Sequence, residues 1–133
     1  GEKRGIKLIV ETPNGDALSV YGDKERLTQV LTNLIDNAVK YNRDNGTVTI
    51  SATQTNGQVE ISIADTGIGI PESDVARVFE RFFRVDKARS RAVGGTGLGL
   101  SIVKHILEAH DTQARVTSEQ GVGTTFSFKL KSA

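Results

Sequence analysis

The sequence predicts a two-layer α/β sandwich: one mixed sheet of about five strands, covered on one face by about three helices. Strand-like alternation is plain at Val48, Ile50 and Ala52 and again at Val59, Ile61 and Ile63, with Asn56-Gly57 between them as a hairpin turn. Two longer stretches instead carry apolar residues at helical spacing. The elements also follow one another as strands, helix, hairpin, short helix, helix, hairpin, an order that suits a sheet with its helices on one side. At 133 residues the chain is expected to form a single domain, 1–133.

Composition narrows the function classes. A 37% apolar and 25% charged chain of net charge +1 makes no global case for nucleic acid or an anionic membrane. There is no membrane-length apolar run and no signal-peptide pattern. The absence of cysteine excludes disulfides and thiolate chemistry, and two histidines, His105 and His110, are too few for a usual zinc cluster.

Taken in order, short strands are expected at about 6–10 and 17–21, joined through Pro13-Asn14-Gly15. Asp23 is a plausible N-cap for a helix that runs through 26–41 and stops in Asn42-Arg43-Asp44-Asn45-Gly46. The hairpin follows, and its second strand puts Ile61, Ile63 and Asp65 on one face. If the isoleucines point at the core, so does Asp65, and a carboxylate there needs a partner. A short helix from Glu72 to about Glu80 continues into Arg81-Phe82-Phe83-Arg84-Val85. Residues 86–93 show no apolar period and read as a loop. A well-buried helix opens at Gly94-Gly95-Thr96-Gly97-Leu98-Gly99-Leu100 and ends near Ala109. Strands at about 113–118 and 124–130 close the chain. Thr124, Phe126, Phe128 and Leu130 share a face of the last one.

The first long helix has an unusual edge. At about 100° per residue, Leu27, Val30, Leu31, Leu34, Ile35 and Ala38 form one apolar arc. Beside it lie Asn33, Asn37 and Lys40, with Tyr41 between stripe and arc. Asn33 and Asn37, four residues apart, stand one above the other. Two amides and an ammonium at the rim of a core suit a metal ion and phosphate oxygens better than they suit stability. Gly95, Gly97 and Gly99 stand at a helix N-terminus, where free N–H groups favour anions. The strand that a dinucleotide fingerprint needs before it is missing, and so is the Gly-Lys-Ser/Thr ending of a P-loop.

NLIDNAVKYN, DTGIGI, FERFFRVD, GGTGLGLSIVKHI and GVGTTFSF, in this order, resemble the successive boxes of the catalytic and ATP-binding domain of bacterial sensor histidine kinases. The superfamily includes gyrase, the heat-shock chaperone ATPases and MutL, and its fold is the Bergerat ATP-binding fold. The resemblance implies ATP and Mg²⁺ as cofactors. It implies Asn37 as the magnesium ligand, an amide oxygen being a suitable hard donor. Asn33 would support the metal or phosphates, Lys40 would reach phosphate, and Tyr41 would pack near adenine. Asp65 would accept a hydrogen bond from the adenine amino group, with Thr124 (or Thr125) helping through a water. Gly67, Gly69 and Ile70 would lie against the base. Gly95, Thr96, Gly97, Leu98, Gly99 and Leu100 would form the loop and helix start at the phosphates. Arg84, Lys87 and Arg89 would contact phosphate, with Asn37, Lys40 and Arg84 carrying catalysis. Residues 86–96 would be the ATP lid. Phe79, Phe82 and Phe83 read either as core or as part of the surface that docks on the substrate helices.

Within the superfamily, the ATP-hydrolysing members carry a glutamate four residues before the metal-binding asparagine. Here that position is Asn33, which cannot act as a general base, and Asp36 points about 100° away from Asn37 on the wheel. The resemblance therefore implies γ-phosphoryl transfer to a histidine in two-component signalling; the alternatives are an ATP-binding regulatory module without transfer and a gyrase-type ATPase. Neither His105 nor His110 has the acidic and proline context of the family's phosphoacceptor. His105 reads as a polar-edge residue and His110 as a helix C-terminal residue favoured by the dipole. The chain is expected to be a monomeric fragment lacking the dimerisation and acceptor helices. The parent is expected to be a homodimer anchored in the cell membrane, with this domain in the cytoplasm and a response regulator as partner. Where the family commonly has a glycine pair, this chain has Asp111-Thr112-Gln113, which predicts an altered turn.

Overall fold

The structure is a computed structural model that describes residues 5–12, 18–80 and 99–133. Its order is β1 (Lys7–Glu11), α1 (Lys24–Lys40), β2 (Thr47–Thr55), β3 (Gln58–Asp65), a 3₁₀ helix (Glu72–Arg77), α2 (Gly99–Ala109), β4 (Arg115–Glu119) and β5 (Gly123–Lys131). The strands form one sheet in the order β1-β2-β3-β5-β4. β1 runs parallel to β2, and the other pairs are antiparallel, so the sheet is mixed.

Register follows from the alternation read in the sequence. Ile63 faces Ile50 on one side and Phe126 on the other, Ile61 faces Ala52 and Phe128, and Val59 faces Leu130. These residues make the inner face, and a one-residue slip would turn every one of them to solvent. The opposite face is polar, carrying Thr49, Ser51, Ser62, Thr125 and Ser127. The Asn56-Gly57 turn has both residues at positive φ, 53° and 77°, which fits the twist of the flanking strands.

Asp23 caps α1 by accepting from the Arg26 backbone N–H at 3.1 Å. Val30, Leu34 and Ala38 of α1 and Val103, Ile106 and Leu107 of α2 are buried against the sheet, with Leu27, Leu31 and Ile35 packed around them. Phe79 meets Phe126 edge-on with ring centroids 5.9 Å apart, so it belongs to the core. Phe82 and Phe83 lie outside the described residues.

Three sequence expectations are corrected. Of the strand expected at 17–21, the described residues 18–21 form no strand and make only an isolated bridge, Val20 to Ser132. β3 and β4 occupy both sides of β5 as far as Ser127, so an open edge is available only near its end. The Pro13-Asn14-Gly15 turn lies outside the described residues. The helix expected from Glu72 to about Glu80 is a 3₁₀ helix to Arg77, closed by short-range bonds such as Asp74 N–H to the Pro71 carbonyl at 2.8 Å.

The third correction is the end of α2, where no altered turn is needed. Thr112 N–H donates to the Leu107 carbonyl at 3.0 Å and Asp111 N–H to the Glu108 carbonyl at 3.1 Å, the pairing of a Schellman motif. Asp111 itself takes the left-handed position, at φ 59°, that glycine usually holds. A short polar side chain tolerates that conformation at some cost. Asp111→Gly is therefore expected to raise stability by about 0.5 kcal/mol, the relief being partly offset by a more flexible unfolded chain. Urea unfolding at constant m-value checks it. His105 is exposed, as expected of a polar-edge residue. His110 does more than sit at a helix end. Its Nδ1 lies 2.8 Å from the Ile106 carbonyl, and its Nε2 accepts from the Asp23 backbone N–H at 3.0 Å, tying the end of α2 to the cap of α1.

Candidate nucleotide-binding site

The site assembles where the C-terminal half of α1, the loop after β3, the β4–β5 turn and the start of α2 come together. α1 presents Asn33, Asn37, Lys40 and Tyr41, all half-buried. Asn33 Nδ2 donates to the carbonyl of Gly99 at 3.3 Å, which draws the amide stripe to the first residue of α2. Leu100, the next residue of α2, packs against the core. One turn on, the Asn37 side chain makes no hydrogen bond among the described residues.

Asp65 ends β3 with its carboxylate on the inner face, as the strand parity predicts. Oδ1 accepts two backbone N–H groups, from Gly67 at 2.8 Å and Thr124 at 3.2 Å. Oδ2 has no partner among the described residues. Burial raises the Asp65 pKa above the usual carboxylate value, and the Gly67 and Thr124 N–H groups only partly offset that. The result is a pinned carboxylate with one acceptor oxygen available.

The loop after Asp65 is pressed against its neighbours. Ile68 N–H donates to the Tyr41 carbonyl at 3.1 Å. A Cβ on Gly67 would collide with the Tyr41 carbonyl oxygen and stand 3.0 Å from Asp65 Oδ1, so no side chain fits there. Gly69 has φ +73° and lies against the backbone of Glu119 and Gln120. Ile70 is buried, and its N–H donates to Ser118 Oγ at 2.7 Å. Thr124, 6% exposed, is the inward threonine of β5, and its hydroxyl lies 2.8 Å from Ser118 Oγ. Thr125, read as its alternative, lies on the opposite face of the same strand.

Arg84, Lys87, Arg89, Gly95, Thr96, Gly97 and Leu98, with the segment 86–96 read as a lid, lie outside the described residues. Among the candidates that are described, Asn33, Asn37 and Gly99 gather at one end. Tyr41, Asp65, Gly67, Gly69, Ile70 and Thr124 gather at the other.

A clasp behind the loop was not legible in the sequence. Asn42, 0% exposed, donates from Nδ2 to the Thr47 carbonyl at 2.9 Å, and its Oδ1 accepts from the Arg43 N–H and the Thr66 hydroxyl. Arg43 reaches three carbonyls, Thr66 at 2.6 Å, Gly67 at 3.3 Å and Gly121 at 2.7 Å. It thereby joins the loop after β3 to the β4–β5 turn. Residues in irregular turns carry no period, so nothing marked Asn42 or Arg43 beforehand. Ser118 did carry a signal, a hydroxyl at an inward strand position next to Val116. Asn42→Ala is expected to cost about 2 kcal/mol, because truncation leaves the Arg43 N–H without its partner and the Thr47 carbonyl with only the Thr66 donors. Thermal unfolding checks it, and Asn42→Asp would recover only the acceptor half of the network.

A profile described as histidine kinase-, DNA gyrase B-, and HSP90-like ATPase matches residues 22–133. The chain belongs to this ATPase family. Within it, the chain is a catalytic and ATP-binding domain of the bacterial two-component histidine kinase type. It is 46% identical over 125 residues to the sensor-like histidine kinase SenX3 of Mycolicibacterium smegmatis, a match covering 94% of this chain and 32% of SenX3. The chain thus spans about a third of that curated relative's length. The structure of the mycobacterial sensor histidine kinase MprB superposes with a TM-score of 0.84 at 33% identity, covering 98% of this chain and 86% of that one. Histidine kinase ThkA, in a crystal structure with the response regulator TrrA, gives a TM-score of 0.77 at 30% identity, covering 98% of this chain and 35% of that one. For a histidine-kinase ATP-binding domain, the five-stranded mixed sheet with helices on one face is the expected architecture. The family match supports ATP as a ligand of the domain.

Proposed function

We propose that this domain binds Mg-ATP and transfers the γ-phosphoryl group to a histidine on a separate dimerisation and acceptor helix, in two-component signalling. One observation carries the preference for transfer over hydrolysis. Where a hydrolase would hold a general base, Asn33 stands as an amide whose N–H is directed to the Gly99 carbonyl at 3.3 Å. It cannot take a proton from water. Asp36, the nearest carboxylate along the helix, is exposed. An imidazole nucleophile needs little proton removal, so catalysis reduces to positioning and charge stabilisation.

Asp65 Oδ2 receives the 6-amino group of adenine, and Lys40 attends the phosphates. The half-buried Asn37 amide, without a partner among the described residues, fits a hard cation that is also held by phosphate oxygens and water. Among the described residues no three His, Cys, Asp or Glu side chains cluster, so the fit is to a metal carried with the nucleotide. Magnesium, when bound, offsets charge on the phosphates. Arg84 and Arg89 act on the γ-phosphoryl, and a response regulator receives the phosphoryl group afterwards. Among the described residues no helix is long and apolar enough to cross a membrane, and anchoring belongs to other parts of the parent, a homodimer.

Mixing the domain with an acceptor-helix fragment and Mg-ATP tests the reading. Acid-labile phosphate on the fragment is expected. Nucleotide binding without transfer would reduce the domain to an ATP-dependent reporter. Steady hydrolysis in the fragment's absence would return it to the ATPases.

A further inference from the structure

β1 stands at one edge of the sheet, and its outer side is open among the described residues. Lys7 N–H donates to the Gly46 carbonyl at 3.0 Å. Backbone groups alternate in direction along a strand, so Lys7, Ile9 and Glu11 address β2, while Leu8 and Val10 turn their N–H and C=O groups away from it. The same two residues carry apolar side chains left in water. Leu8 is 56% and Val10 71% exposed, although their register beside Val48 and Ile50 places them on the inner-face side of the sheet. A regular, apolar edge without proline is open to pairing with another strand.

The order Lys7-Leu8-Ile9-Val10-Glu11 is self-complementary. Turned antiparallel about Ile9, it sets Lys7 opposite Glu11 and Leu8 opposite Val10 of a second copy. The Leu8–Val10 pairs are then the ones that exchange both backbone hydrogen bonds, and these are the residues whose groups point outward. A shift of two residues would keep the outward groups paired but set Lys7 or Glu11 against Ile9. β4, the other edge, also begins with a base and ends with an acid, Arg115 and Glu119. It offers no exposed apolar pair, since Val116 is half-buried and Ser118 Oγ is taken by the Ile70 N–H.

We propose that β1 is a self-association edge: two copies of the chain pair antiparallel through Lys7–Glu11, with the two-fold axis at Ile9. The axis stands perpendicular to the sheet, so the two sheets run on as one and the helices of both copies lie on the same face. The contact is small and therefore weak in the free domain. In a homodimeric parent, tethering supplies an effective concentration on the order of millimolar, which a weak contact can use. The pairing is independent of the nucleotide reading.

Sedimentation equilibrium of the domain over a concentration series tests it. Reversible dimers are expected by about 1 mM, the local concentration that tethering gives. A domain still monomeric there would overturn the inference and leave the edge to a strand of other origin. Lys7→Glu and Glu11→Lys each set like charges opposite one another in both symmetry-related pairs, and each is expected to raise the dimer dissociation constant about tenfold. Both side chains are exposed, so the fold should tolerate either change. The two single variants, mixed, should associate with each other more tightly than either does with itself, because every opposed pair is then of opposite charge. Dimers indifferent to these changes would lie on another face and overturn the proposal. Amide hydrogen exchange reads the same contact without substitution. Raising the protein concentration should slow exchange at Leu8 and Val10 and leave Ile9, already bonded to β2, unchanged. No slowing at Leu8 and Val10 would overturn the pairing.

Discussion

Asn37→Ala is expected to lower phosphoryl transfer from Mg-ATP by about a hundred- to a thousandfold while leaving the fold intact. Removing one preorganised electrostatic contact at a transferring group has effects of that size. Stability should survive, because the Asn37 side chain has no partner among the described residues and its truncation orphans none of them. Asn33 is different, since its N–H holds the Gly99 carbonyl at the start of α2. The diagnostic measurement is ATP affinity with and without magnesium. The variant should bind metal-free ATP nearly as well as the unsubstituted domain and lose most of the gain that magnesium brings. A variant whose affinity and transfer rate keep their normal magnesium dependence would remove Asn37 from the metal site.

Asp65→Asn is expected to weaken ATP binding by about 1–3 kcal/mol, the range for a hydrogen bond to a charged, desolvated group. Isothermal titration at neutral pH measures it, and unchanged affinity would sink the adenine assignment. The pH dependence adds a second signature. Burial raises the folded-state pKa of Asp65 above the ordinary carboxylate value, so protonation begins at a higher pH than for an exposed carboxylate. As pH falls through that raised value, Asp65 loses its charge and ATP affinity should fall. Asp65→Asn should lack this limb. For the nucleotide-free fold the sign is opposite. Between the unfolded and the raised folded pKa the native state binds more protons than the unfolded one. Raising the pH through that window therefore costs stability, and the cost persists above it. Asp65→Asn should accordingly melt no lower than the unsubstituted domain at neutral pH, while binding ATP worse. Such a separation identifies a residue held for function at the expense of the fold.

Much of this was legible from residue pattern. The Val48–Ile50 and Ile61–Ile63 alternation specified the sheet's buried face, because a side-chain period of two admits one register once that face is buried. The stripe of Asn33, Asn37 and Lys40 was visible because a helix repeats often enough to expose polar residues on an otherwise apolar rim. Asp65 stood out by parity alone. Asn33 illustrates the boundary. Its identity as an amide excludes a general base, and that follows from the residue type. Its hydrogen bond to Gly99 depends on how α1 and α2 pack, and no local pattern carries it.

The same division runs through the rest of the chain. By itself the sequence determined the mixed sheet with helices on one side, the inward carboxylate, the amide stripe and an amide in place of a carboxylate at Asn33. All of these are carried by periodicity or by the identity of single residues. Only the tertiary structure decided that residues 18–21 bridge the end of β5 in place of forming a strand, and that Asp111 completes a helix cap without glycine. It also decided that Arg43, Asn42 and Ser118 hold the loop after β3. Those outcomes depend on which backbone carbonyls and edges are left open after the chain has packed. The groups involved lie far apart in sequence (Arg43 and Gly121, Ile70 and Ser118), and the contacts between them exist only once the sheet brings its turns together.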